Sequence, residues 1–155
     1  MTYEDERAKI DETAKYLFTA SKNAIVDFIS QTFPIIIQKE RVEIELLTTE
    51  YISHNPGFSR FFPDIVLKIT GLSDKDPLIH IEIQTEHDGT MDLRMVKYGY
   101  IIGASKTEVN SENVRVIFIP HQVVIYLEEN KRISDELTVQ VVFPNETKLT
   151  TRSRY

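Results

Sequence analysis

The chain contains no cysteine, which removes a disulfide framework, a thiolate metal site and a thiolate nucleophile together. It also lacks any apolar run near the roughly 20 residues that a membrane-spanning helix requires, so no membrane partner is expected. Its opening, Met1-Thr2-Tyr3-Glu4-Asp5-Glu6, is acidic and without an apolar stretch, unlike a signal peptide, and the expectation is a cytoplasmic protein. Basic charge is short too: 18 Lys and Arg stand against 24 Asp and Glu, a formal charge of -6. That argues against a protein held on nucleic acid by a broad basic surface, though not against an enzyme that reaches it through a metal and a local groove. The four histidines, His54, His80, His87 and His121, do not fall at a metal-ligand spacing. No repeat, low-complexity tract or linker interrupts the 155 residues, which fits one domain, 1–155, with a tail from about 145.

What the chain does have is regular patterning. Residues 11–30 read as one helix, with Tyr16, Leu17, Phe18, Ala24, Ile25, Phe28 and Ile29 recurring near helical spacing, and Pro34 ends or bends it. Residues 41–47 alternate as a strand, and Asn55-Pro56-Gly57 marks a turn. A helix is expected from the loop at His87-Asp88-Gly89-Thr90 to about Ser105, capped by Asp88 or Thr90. Residues 114–119 form a compact apolar run of the kind found in a buried strand, closed by Pro120. Residues 123–127 and 137–143 read as two more strands, with Glu128 and Glu129 in a solvated turn between them. Helix, three strands, helix and further strands make a mixed central sheet flanked by helices, an α/β or α+β layer fold, of which α/β is the expectation.

The most informative stretch is a hairpin. Phe61-Phe62-Pro63-Asp64-Ile65-Val66-Leu67-Lys68-Ile69 and Leu78-Ile79-His80-Ile81-Glu82-Ile83-Gln84 are β-rich and alternating, and Gly71, Ser73, Asp74, Asp76 and Pro77 fill the gap. A turn centred on Ser73 or Asp74 sets Asp64 opposite Glu82 or Gln84, where facing Cβ atoms lie about 4.5–5.5 Å apart. Glu82 and Gln84 leave the sheet on one side, and Ile65, Leu67, Ile69, Ile79, Ile81 and Ile83 leave on the other.

Two carboxylates on neighbouring strands suit a hard cation such as Mg²⁺, which binds through one or two carboxylates and keeps several waters. Asp64 and Glu82 would be its ligands, with the Ile83 carbonyl as a further oxygen, and Gln84 could orient a water or a phosphate. The same residues, with Lys68 and His80, are also what the solvated face of an ordinary amphipathic hairpin contains.

Several stretches carry a family likeness: Thr49-Glu50, Phe62-Pro63-Asp64-Ile65-Val66-Leu67, Ile79-His80-Ile81-Glu82-Ile83-Gln84-Thr85, Asp92-Leu93-Arg94-Met95-Val96-Lys97-Tyr98 and, near the start, Asp11-Glu12-Thr13-Ala14-Lys15-Tyr16-Leu17-Phe18. Across about 11–127 the chain resembles the PD-(D/E)XK nuclease superfamily, and more narrowly its YhgA-like family of recombination-promoting, transposase-like nucleases. The resemblance implies a restriction-endonuclease-like core and Mg²⁺-dependent cleavage of DNA, with Mn²⁺ able to substitute. Asp64 matches the metal-binding aspartate and Glu82 the second acid, while Gln84 stands where the wider superfamily has lysine. Glu50 matches the acid of the Thr-Glu segment; Lys15 and Arg94 are candidates for phosphate contact or for surface salt bridges. Tyr98, four residues from Arg94 on the same helix face, either bonds into the site or packs on the sheet. DNA is the expected partner, and superfamily members often act as dimers, so a homodimer belongs to the expectation. Since Gln84 lacks the lysine charge, a second expectation is an inactive nuclease-fold module that binds DNA or a protein partner.

Overall fold

The computed structural model describes residues 12–13, 16, 20–47, 63–72, 76–85, 89–127 and 136–154, with side chains of the last strand only to 150. Glu50 and Lys15, the turns expected at Asn55-Pro56-Gly57 and at 128–131, and the caps and loop at His87 and Asp88 lie outside the described residues. The elements are α1 (Lys22–Thr32), β1 (Glu43–Leu47), β2 (Ile65–Thr70), β3 (Leu78–Gln84), α2 (Met91–Ala104), β4 (Glu108–Val109), β5 (Arg115–Val116), β6 (His121–Tyr126), β7 (Glu136–Val142) and β8 (Lys148–Arg154).

Six strands form one sheet in the order β1-β2-β3-β6-β8-β7. β1 pairs antiparallel with β2, and β2 with β3, as hairpin-type connections allow. β6 then pairs parallel with β3, which requires a crossover, and α2 supplies it. The sheet is therefore mixed, and the fold is α/β as the patterning predicts.

Strand alternation decides what each face holds. Ile65, Leu67, Ile69, Ile79, Ile81, Ile83 and Val123 pack with Ile25, Val26, Ile29 and Phe33 of the α1 region in one buried cluster. Each fully buried side chain of this kind contributes roughly 1.5–3 kcal/mol relative to exposure. The opposite face takes α2: Ile101 and Ile102 meet Leu47, Val66 and Leu78, and Met91 and Met95 meet Val124. One helix thus covers each face of the hairpin. No described helix is long and apolar enough to cross a membrane.

Four expectations are corrected. The N-terminal helix is not continuous over 11–30, because Ser21 is extended (φ -136, ψ 115) and its hydroxyl accepts from the Ala24 N–H, so α1 starts at Lys22. It runs to Thr32, where Pro34 forces Phe33 to φ -117, ψ 152. The run 114–119 is not a buried strand: only Arg115–Val116 are strand, in a two-residue ribbon with β4, and Val114 and Ile119 are exposed. Asn110 diverts it, since its side-chain oxygen accepts from the N–H groups of Glu112 and Val114 and closes a tight loop. The sheet position beside β3 goes to β6 instead. Finally, the expected tail from about 145 is strand β8, returned onto β7 by a turn in which Asn145 accepts from the Thr147 N–H. The fourth correction concerns the hairpin face and belongs to the site.

Candidate functional site

The hairpin takes the first of its two allowed registers. Ile65 faces Ile81 and Val66 faces His80, and continuing that pairing by one residue sets Asp64 opposite Glu82. Two backbone-to-carboxylate hydrogen bonds then tie the strand ends together. The Asp64 N–H donates to Glu82 Oε1 at 3.1 Å, and the Ile83 N–H donates to Asp64 Oδ2 at 2.8 Å. The Leu127 N–H reaches the Gln84 carbonyl, so the Gln84 backbone faces β6. Alternation along the strand turns the Ile83 N–H and carbonyl to the β2 side, where Asp64 lies. Asp64, Glu82 and the Ile83 backbone therefore do come together, as the spacing predicts, and half-buried Gln84 adjoins them at the end of β3.

This face is not the solvated surface of an amphipathic hairpin. His80 is 0% exposed and Glu82 1% exposed, because α2 lies across them. A carboxylate that deep is tolerable only when its oxygens are hydrogen-bonded. Glu82 Oε1 has His80 Nε2 at 2.8 Å besides the Asp64 N–H, and Glu82 Oε2 accepts from Arg94 Nη2 at 3.3 Å. The Arg94 side chain, a third exposed, joins this buried acid to solvent. Arg94 is thus an ion-pair partner of Glu82 at the mouth of the site. Tyr98 braces both neighbours: its ring lies 5.4 Å from that of His80 and 5.6 Å from the Arg94 guanidinium. The ring also packs against the second hydrophobic cluster.

Gln122, which the sequence reading leaves out, fixes the other end of the chain of polar groups. Its Nε2 donates to the Met95 carbonyl at 2.7 Å and lies 3.0 Å from His80 Nδ1. A carbonyl only accepts, so the Gln122 nitrogen must face Met95, and its second hydrogen makes His80 Nδ1 an acceptor. The His80 proton then sits on Nε2 and is donated to Glu82. In this way the Met95 carbonyl, through Gln122, sets the tautomer that orients the acid. The parallel register places Gln122 beside His80.

Gly99 leaves room for this. A Cβ there would stand 2.7 Å from Gln122 Oε1. Helix propensity alone would make Gly99→Ala stabilising by about 0.5–1 kcal/mol. Because the Gln122 amide is buried and pinned at two points, we expect the opposite sign, a loss of about 1–2 kcal/mol from overpacking. A urea titration with an unchanged slope and a lower midpoint would bear this out; a raised midpoint would not.

Among the described residues no group of three or more His, Asp or Glu gathers at a metal-binding distance. The donor set at the hairpin is two carboxylates and a backbone carbonyl, hard oxygens that match what Mg²⁺ requires when water and substrate complete its shell. Of the two oxygens of Glu82, Oε1 meets His80 and the Asp64 N–H, and Oε2 meets Arg94. No family model, no curated protein and no solved structure matches the chain.

Proposed function

We propose that the chain is a metal-dependent endonuclease that hydrolyses DNA phosphodiester bonds, built on a restriction-endonuclease-like core. The observation that carries the reading is the Asp64–Glu82 pair, held across two strands by the N–H groups of Asp64 and Ile83, with a cation, Arg94, at its edge. The mixed sheet with a helix on each face supports the fold half of the proposal. Asp64 and Glu82 would hold Mg²⁺ or Mn²⁺, which lowers the pKa of a bound water and polarises the phosphate. Gln84 is neutral and can only orient water or phosphate. Arg94 can supply the positive charge that a lysine at that position would have given, by leaving Glu82 for the substrate phosphate. Two cuts on opposite strands would need two copies, so a homodimer is part of the proposal.

A second reading has its own support. Glu82 already has three hydrogen-bonding partners, and Gln84 carries no charge, which together fit a nuclease-fold module that binds DNA or a protein partner without cutting. Supercoiled plasmid separates the two. On the nuclease reading, purified protein nicks it with Mg²⁺ or Mn²⁺, stops when EDTA removes the metal, and resumes when the metal is restored. Binding to plasmid with no nicking under any of these conditions leaves only the second.

A further inference from the structure

Away from the acid pair, at the other end of the hairpin, the register sets Lys68 opposite Leu78. That is four residues from the Asp64–Glu82 level, about 13 Å along the strands. A cavity of about 420 Å³ opens there, between the hairpin, the C-terminal end of α2 and the segment leading into β6. Its size falls within the range of small-molecule sites, roughly 300–1,000 Å³.

The lining has three chemical characters. Lys68 from β2 and Lys106 from just beyond α2 bring two ammonium groups to it. Partial burial, and then the Lys68 charge, lower the Lys106 amine below the usual lysine value, with Asp76 and Glu45 working the other way. The two ammonium groups are donors that a phosphate can bridge, and Asp76 and Glu108 in the same lining balance their charge. Asp76, whose Oδ2 lies 3.0 Å from Lys68 Nζ, and Glu108 add acceptors for hydroxyl or amino donors. Leu78 and Phe118 supply an apolar wall suited to a flat ring. That wall is fixed by close packing: a Cβ on Gly103 would stand 2.8 Å from the Phe118 carbonyl oxygen, so the helix can approach this segment only through glycine.

We propose that this cavity binds a nucleoside monophosphate, its phosphate between Lys68 and Lys106, its ribose hydroxyls toward Asp76 and Glu108, and its base against Phe118. The proposal does not depend on the nuclease reading, because it concerns a separate end of the sheet. The test is an amide NMR titration of the whole chain with adenosine monophosphate, and with adenosine and inorganic phosphate as partial probes. Expected are saturable shifts at Leu78, Lys106, Glu108 and Phe118, with the monophosphate binding at least about tenfold more tightly than either fragment. Lys106→Met is expected to weaken it by about tenfold or more, the usual consequence of losing one charge-assisted contact. The proposal is overturned if no saturable shift appears, if the shifts centre on Glu82 and Arg94, if phosphate alone binds as well, or if a folded Lys106→Met binds unchanged. The wild-type titration decides even if that variant does not fold.

Discussion

Glu82→Ala is expected to remove DNA nicking and to destabilise the fold by about 3 kcal/mol, the usual cost of stranding buried partners of a deleted charge. The reason lies in what the carboxylate satisfies. His80 Nε2 and the Asp64 N–H both point at Oε1, His80 is fully buried, and Arg94 leans on Oε2. Alanine leaves all three without that acceptor and opens a gap under α2. Glu82→Gln should fall between, since its amide oxygen can still accept from His80 and Asp64 while its nitrogen faces the Arg94 guanidinium. Chemical denaturation of the three proteins gives the order directly. If Glu82→Ala unfolds at the wild-type midpoint, the buried polar chain is not holding α2 to the hairpin.

Asp64→Asn is expected to separate activity from stability. The asparagine oxygen can still accept from the Ile83 N–H, so the bond that closes the end of the hairpin survives, and stability should stay within about 1 kcal/mol of wild type. What is lost is one of two charges facing the cation, and nicking should fall by about 10²–10³-fold, as when one preorganised stabilising group is removed from an active site. The pair of variants is informative because the two acids are so differently placed. Glu82 is a buried structural hub as well as a proposed ligand, whereas Asp64 sits half-buried at the strand end. An Asp64→Asn protein that nicks at the wild-type rate would remove Asp64 from the chemistry.

The hairpin was legible in the sequence because period-two alternation and a run of turn residues leave only two registers. Either one brings Asp64 to β3, and the observed pairing of Ile65 with Ile81 selects Glu82 over Gln84. The burial of the polar face was not legible. A hairpin face bearing Lys68, His80 and Glu82 reads the same whether water or a helix covers it, and only the β3–α2–β6 crossover puts α2 there. Gln122 was missed for a related reason. It lies just before the apolar run that marks β6, and its neighbour His80 is set by a parallel register that no local pattern encodes. Strand β8 has no signature in the sequence, since Thr150-Thr151-Arg152-Ser153-Arg154 lacks apolar alternation; its ladder with β7 rests on backbone bonds. The break at Ser21 was hidden by apolar residues that keep helical spacing on both sides of it.

The Arg94 guanidinium donates to Glu82 Oε2, 3.3 Å away. On the proposed reading that oxygen would serve as a cation ligand, and the guanidinium would then turn toward the mouth of the site, where a phosphate would arrive. The most direct test of the Asp64–Glu82 pair as a cation site is anomalous X-ray scattering from crystals grown with Mn²⁺. The predicted result is a peak touching both carboxylates, with Arg94 moved away from Glu82. Crystals grown at millimolar Mn²⁺ that give no peak there, with Arg94 still on Glu82 Oε2, would contradict it.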